Sequence, residues 1–264
     1  MGRGPLASAL APLARGGEFL LALAAVVGLW QLASAWVAKP ALVPPPLAVA
    51  RAWVAMLDET LPGDALASLG HLGSGYLLGV ATGLILAIAC ARSALVEAIV
   101  DPFMELLRPI GAIAWIPLAI LMFGIGGGVP VFLIFYASAF PVFVNTLAGI
   151  KQVDGRFVRA AETLGASRRM IVTHVVLPAA LPMVLAGARL SLGVAWASMV
   201  AAELTGSDAG LGWRIFWYQE FFAMDRVMAV ILTIGVLGYA LDTALRWVQR
   251  VATRWSPDAE AATR

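Results

Sequence analysis

Six stretches of the chain are apolar over the length of a bilayer: Phe19 to Val37, Ser68 to Ala91, Ile99 to Phe123, Val129 to Ile150, Ala179 to Ala202 and Met228 to Val248. A helix needs about 20 residues to cross the hydrocarbon core, whereas a tilted strand needs only about 10. The runs are long and continuously apolar rather than alternating, which argues against strands. The pattern predicts an all-α membrane protein of about six transmembrane helices. Arg3, Arg15, the first apolar run and Ala33-Ser34-Ala35 imitate a cleavable secretory signal. The run continues through Trp36 and Val37, so a retained helix is expected.

Between the spans, two segments are too long to be simple turns. Pro40 to Leu66 contains Pro44-Pro45-Pro46, which fixes an extended backbone. Leu47 to Leu57 then reads as a short amphipathic helix with Val49, Trp53 and Met56 on one face. Thr205 to Arg226 mixes turn residues with the aromatic group Trp213, Phe216, Trp217, Tyr218, Phe221 and Phe222. It reads as an interfacial helix, as a docking surface for a soluble partner with Trp213, Arg214, Trp217 and Tyr218 as its contacts, or as both.

Within the spans, Gly75-x-x-x-Gly79-x-x-x-Gly83 lays three glycines along one helix face where a second backbone can approach. Pro109, Pro117, Pro130 and Pro141 imply kinks or breaks in the third and fourth spans, whose freed carbonyls need partners. Gly124 to Pro130 lacks the Lys-Ser/Thr of a phosphate-binding loop and reads as a tight turn.

Composition agrees with a lipid solvent: 61% of the residues are apolar and 13% charged, against roughly 25% charged in soluble proteins. A soluble enzyme, a DNA-binding module and a disordered chain are excluded, and a net charge of +2 gives no argument for nucleic acid. The distribution of charge says more than its sum. Arg3, Arg15, Arg92, Lys151, Arg156, Arg159, Arg168, Arg169, Arg246, Arg250, Arg254 and Arg264 fall at the termini and the second and fourth loops, whereas Lys39, Arg51, Arg214 and Arg226 fall on the other face. The positive-inside rule then puts both termini in the cytoplasm, with Trp36, Trp213, Trp247 and Trp255 suited to the interfaces. Cys90 is the only cysteine, and His71 and His174 are too far apart in the chain to suggest a metal site.

The most informative hydrophilic segment is Lys151 to Pro178. Good helix formers run from Arg156 to Leu164, Gly165 fits a C-terminal cap, and Ser167 can cap a second helix running toward Pro178. Arg159-Ala160-Ala161-Glu162-Thr163-Leu164-Gly165, nine residues, then Val175-Val176-Leu177-Pro178 resembles the EAA loop of bacterial ABC-importer permeases, E-A-A-x3-G-x9-I-x-L-P. Arg159 stands where that family usually has Glu, and Val175 where it has Ile. Arg108 to Gly126, Asn145 to Gly149, and Ala201-Ala202-Glu203-Leu204 with Ala209 to Trp213 are similar to the subgroup that imports nitrate, sulfonates, taurine and bicarbonate, and most of all to taurine and alkanesulfonate permeases.

The resemblance implies a type I ABC-importer permease-like bundle, one permease domain over residues 1–264 with a coupling loop at 151–178, in the bacterial inner membrane. Its partners would be a second copy of the chain, two ATP-binding subunits, a periplasmic or lipid-anchored binding protein, and lipid. Arg159, Ala160, Ala161, Glu162, Thr163, Leu164, Gly165, Ala166 and Ser167 would couple to the ATPase. The chain has no GxxxxGK[ST], so it is not expected to be an enzyme, and ATP and Mg would be bound by the partner.

Arg189 lies about 15 Å into the fifth span, where a charge needs a partner, water or an anionic solute. Trp115, Asn145, Trp196, Met199 and Glu203 are further pathway candidates by position, and each could equally be packing. Two other readings are open. An ion-coupled transporter would want acidic residues at the midplane and often a repeat between the halves, and the sequence shows neither. A serine hydrolase would need Ser74 and His71 with a third group to orient them. The solute is expected to be small and anionic, a sulfonate first, with nitrate, bicarbonate or a pyrimidine as alternatives.

Overall fold

The computed structural model describes residues 5–39 and 41–255, and side chains from Leu21 onward. Arg3, Pro40, Arg264 and the side chains of Arg15 and Phe19 lie outside it. No strand occurs among the described residues. Helix α1 (Pro5–Val37) contains the expected first span. The triple proline keeps the next segment extended (Pro45 φ −67°, ψ 151°). It is held to α1 by Trp30 Nε1 donating to the Pro44 carbonyl (3.1 Å) and Ser34 Oγ donating to that of Val43 (2.8 Å). The amphipathic helix follows as α2 (Pro46–Leu57). Val49 and Met56 are buried in one cluster with Leu61, Leu211, Tyr218 and Val230. Trp53 is exposed, although its indole donates to Thr233 Oγ1 (2.9 Å).

The centre of the protein is α3 (Leu61–Arg92), α6 (Gly128–Lys151) and α9 (Leu177–Gly206), and α6 is the most buried of the spans. The glycine stripe does what its spacing predicts. A Cβ on Gly75 would stand 2.6 Å from the Val131 carbonyl, on Gly79 1.9 Å from Ser138 Oγ, and on Gly83 2.7 Å from the Ala139 carbonyl. The backbone of α3 therefore rests directly on α6.

The third span is not one helix. It is α4 (Ala94–Leu107) followed by a 3-10 turn (Ala112–Trp115) and α5 (Ile116–Phe123), with an 88° bend between them. Pro109 has no N–H and ends the ladder, and the Leu107 carbonyl at the break accepts from Tyr136 Oη of α6 (2.7 Å). The other prolines correct the expectation of kinks. Pro117 and Pro130 fall in the first turns of α5 and α6, where no intrahelical N–H is used; only Pro141 is interior to α6.

The fifth span also begins earlier than expected. From α8 (Arg168–Ile171) the chain passes through a π turn (Val172–Val176) straight into α9, giving one 39-residue helical run from Arg168 to Gly206. Pro178 and Pro182 lie inside this run, and the widened π turn just before Pro178 is the kind of local adjustment that re-satisfies backbone groups a proline frees. Helix α10 (Leu211–Glu220) and the last span, α11 (Met224–Ala252), complete the bundle. Among the described residues, four helical runs are long and apolar enough to cross a membrane, and the bent pair makes five. The sixth expected span corresponds to the apolar Leu21–Val37 of α1.

Replacing Gly79 by Val should lower the melting temperature of detergent-purified protein, because overpacking costs about 1–3 kcal/mol and the added carbons meet Ser138 and backbone. Gly73→Val, where a Cβ meets nothing within 4 Å, is the control. Equal melting curves for the two variants would contradict this packing.

Candidate functional site

Helix α7 (Gly155–Thr163) starts at Asp154, whose side chain accepts from Arg156 N (2.8 Å) and pairs with Arg156 Nε (2.8 Å). It ends in a Schellman motif: Gly165 N donates to the Glu162 carbonyl (2.9 Å), Ala166 N donates to that of Ala161 (3.0 Å), and Gly165 adopts φ +78°. Ser167 Oγ then accepts from Met170 N (3.3 Å) and opens the next helix. Both caps are those read from the sequence. Arg159, Ala160, Glu162, Thr163, Leu164, Gly165 and Ser167 are exposed, with Ala161 and Ala166 half-exposed, so the nine residues form one protruding hairpin. Leu164 at its tip is 87% exposed, and Phe157 and Met170 are exposed beside it. Apolar tips on a rigid turn suit a concave protein partner better than water.

Across the bundle, Arg189 of α9 meets Asp242 of α11, with Nε to Oδ1 at 2.8 Å and Nη2 to Oδ2 at 3.4 Å. Arg246, one turn further along α11, also bonds Asp242. Asp242 corrects the expectation of spans without a noteworthy acid. The sequence signal was present, an acidic residue inside the last apolar run at Leu241-Asp242. Its two arginine partners distinguish it from the free acid that ion coupling requires.

At the end of the bundle far from the hairpin, a second polar cluster forms. Glu203 is 0% exposed and accepts from Ser68 Oγ (2.8 Å) and from Gly212 N (3.0 Å), with His71 Nδ1 at 2.8 Å from its other oxygen. Ser68 Oγ in turn accepts from Leu211 N (2.8 Å). Asp64 of α3 pairs with Arg214 of α10 (Oδ1 to Nη2 3.1 Å). Ser74 Oγ donates to the Gly70 carbonyl (2.7 Å), while His71 is turned to Glu203, so the pairing a serine hydrolase would need is not formed.

The pathway candidates do not gather in one cavity. Met199 is enclosed with Leu72, Ile134, Leu192 and Ala195. Asn145 packs under Gly187 and donates to the Pro141 carbonyl (2.8 Å). Trp196 lies against Gly238, and Trp115 packs at a tilt against Tyr136. The docking group is corrected as well. Tyr218 is 5% exposed and faces the core, and Arg214 is engaged by Asp64. Trp213 and Trp217 stack at 5.5 Å, and the exposed part of the surface is Phe216, Trp217, Phe221 and Phe222. Among the described residues no group of His, Cys, Asp and Glu is placed to hold a metal.

These features define a class: a multi-pass helical membrane protein in which a protruding, capped hairpin is continuous with a long span, as in the membrane subunit of a transport system. Residues 79–254 match the binding-protein-dependent transport system inner membrane component family, and the chain belongs to that family. The taurine transport system permease protein TauC of Escherichia coli K12 is 38% identical over 232 residues, covering 86% of this chain and 84% of its own. The putative aliphatic sulfonates transport permease protein SsuC of Bacillus subtilis 168 is 34% identical over 238 residues, covering 89% and 86%. In fold, the chain is similar to one from the inward-facing MetNI methionine ABC transporter, with a TM-score of 0.62 at 19% identity over 73% of this chain and 95% of that one. The bundle is that of a type I ABC-importer permease.

Asp242→Ala should destabilise the purified protein more than the Arg189→Ala, Asp242→Ala double change does, because the single change leaves the guanidiniums of Arg189 and Arg246 facing each other without the carboxylate they share. A thermal-denaturation double-mutant cycle should give a coupling on the order of 1 kcal/mol. Additive effects would show the pair to be incidental.

Proposed function

We propose that this chain is the membrane subunit of an ATP-driven importer for a small anionic solute, a taurine-type or other alkanesulfonate in the first place, working as a homodimer in a bacterial inner membrane. The observation that carries the reading is the hairpin Arg159–Ser167, closed by Gly165 in the left-handed region and joined through α8 and the π turn to α9 without a break. A run of 39 residues spans roughly 58 Å at 1.5 Å per residue. A continuous helical run of that length can carry displacement of one end to the other, as packed helices move as units. In this reading the hairpin seats its exposed Leu164 and the helix face of Ala160 and Ala161 in a groove of an ATP-binding subunit. ATP and Mg belong to that subunit, and the hairpin end is cytoplasmic, as are both termini.

On the outer face, a binding protein docks against α10 through Phe216, Trp217, Phe221 and Phe222 and delivers the solute. The sulfonate preference is supported by the two relatives named for taurine and aliphatic sulfonates; nitrate and bicarbonate permeases of Synechococcus elongatus, 27% and 33% identical, support the same class with other anions. Of the pathway candidates we retain Trp115, Asn145 and Trp196, which are half-exposed in the single chain. Arg189 holds α9 to α11 through Asp242.

Gly165→Val should cut solute uptake in a reconstituted system by an order of magnitude or more, on the order of the effect of displacing a coupling element, while leaving membrane insertion intact. The residue at φ +78° cannot be β-branched without strain, and no neighbouring atom would obstruct the side chain itself. Uptake assays with taurine, methanesulfonate, nitrate and bicarbonate decide the solute. Undiminished uptake by the variant, or uptake without ATP, would overturn the reading.

A further inference from the structure

Glu203 stands three residues from the outer end of the run that bears the hairpin at its other end. A carboxylate enclosed at 0% exposure is expensive, and it persists only where hydrogen bonds satisfy it. Here they come from two other helices, Ser68 and His71 of α3 and the backbone N–H of Gly212 in the first turn of α10. The N-terminus of α10 is also where a negative charge is favoured.

The chain is fitted around this group. Gly210 has φ +107°, and a Cβ there would lie 2.5 Å from Glu203 Cδ; one on Gly212 would lie 2.7 Å from Glu203 Cβ. On the third side, a Cβ on Gly127 would lie 2.9 Å from His71 Nε2, and Gly126 N donates to the Gly206 carbonyl (3.0 Å). Helix α10 therefore cannot shift against α9 without vacating the carboxylate. Stability alone would be served as well by apolar packing at such a place, whereas a directional, fully bonded joint fixes the relative position of two elements.

We propose that Glu203 is a positioning residue that makes α10 move with α9, so that displacement of the coupling hairpin on one side of the membrane re-aims the exposed aromatic face of α10 on the other. The proposal rests on the importer reading. Glu203 touches no solute; it acts through α10.

The test uses the permease purified with its ATP-binding subunit in nanodiscs. Glu220→Cys puts a thiol on the exposed end of α10, and the native Cys90 is 1% exposed. Its labelling rate with a membrane-impermeant maleimide is measured with and without ATP and vanadate. Trapping should change the rate about fivefold or more, the low end of coupling between sites, and Glu203→Gln should abolish the change while ATP hydrolysis stays within about twofold. Ser68→Ala, which removes one bond to the carboxylate and one to Leu211 N, should act in the same direction and covers the case in which Glu203→Gln does not fold. A response that survives in both variants, that is absent in the parent, or that falls only in step with hydrolysis would overturn the proposal. A chain that binds no ATP-binding subunit at all would overturn the importer reading instead.

Discussion

The structure depends on how closely three helices approach one another. Inside lipid, the tails are as apolar as the side chains, so helices gain nothing by burying leucine and must gain by close packing instead. Helix α6 is gripped from both sides by positions that have no room for a side chain: Gly75, Gly79 and Gly83 of α3, and Gly187 and Gly206 of α9, whose added Cβ atoms would stand 2.6 Å from Asn145 Cβ and 2.7 Å from Val129 Cγ1. Its own Gly149 meets Met183 in the same way at 2.7 Å. The remaining elements are arranged on this core: the broken third span is satisfied at its gap by Tyr136 of α6, and α10 and α11 lie against α9.

What could be read from the sequence divides along the distance over which each signal acts. The hairpin was legible because capping is local: Gly165 and Ser167 determine their own turns within three or four residues. The glycine stripe was legible as an interface, although its partner helix was not. The prolines were half legible. The residue type foretold disturbance, but only the position relative to a helix start separates Pro109, which breaks a span, from Pro117 and Pro130, which begin helices. The roles of Asp242 and Glu203 were not legible because their partners lie far along the chain, Arg189 at 53 residues and Ser68 at 135. Tyr218 failed for a related reason: its aromatic neighbours at Trp217 and Phe216 are exposed, and only the packing of α2 shows that it turns inward.

Both unusual charges within the spans serve to join elements. Asp242 binds α11 to α9 near the middle of the bundle, and Glu203 binds α9, α3 and α10 at one end. Each joint includes α9, the helix that is continuous with the hairpin. In water a surface ion pair contributes little. Glu203 is fully buried, and there separation leaves an uncompensated charge, so that joint resists sliding more than apolar contacts do; the half-exposed Arg189–Asp242 pair contributes mainly orientation.

This bears on how an importer of this kind handles an anion. A guanidinium free in the pathway would attract the solute and also retain it, and conduction requires binding weak enough to be reversed at every step. Arg189 is instead held by a carboxylate that is always present and correctly oriented, and a passing sulfonate would have to compete with a fixed partner at 2.8 Å. Charge at that depth thus strengthens the lever without creating a trap. On the importer reading, selection of the solute falls to what encloses it before it enters, and the permease contributes the conformational change. For that work a long unbroken helix, pinned by polar joints and packed through glycines, is well suited.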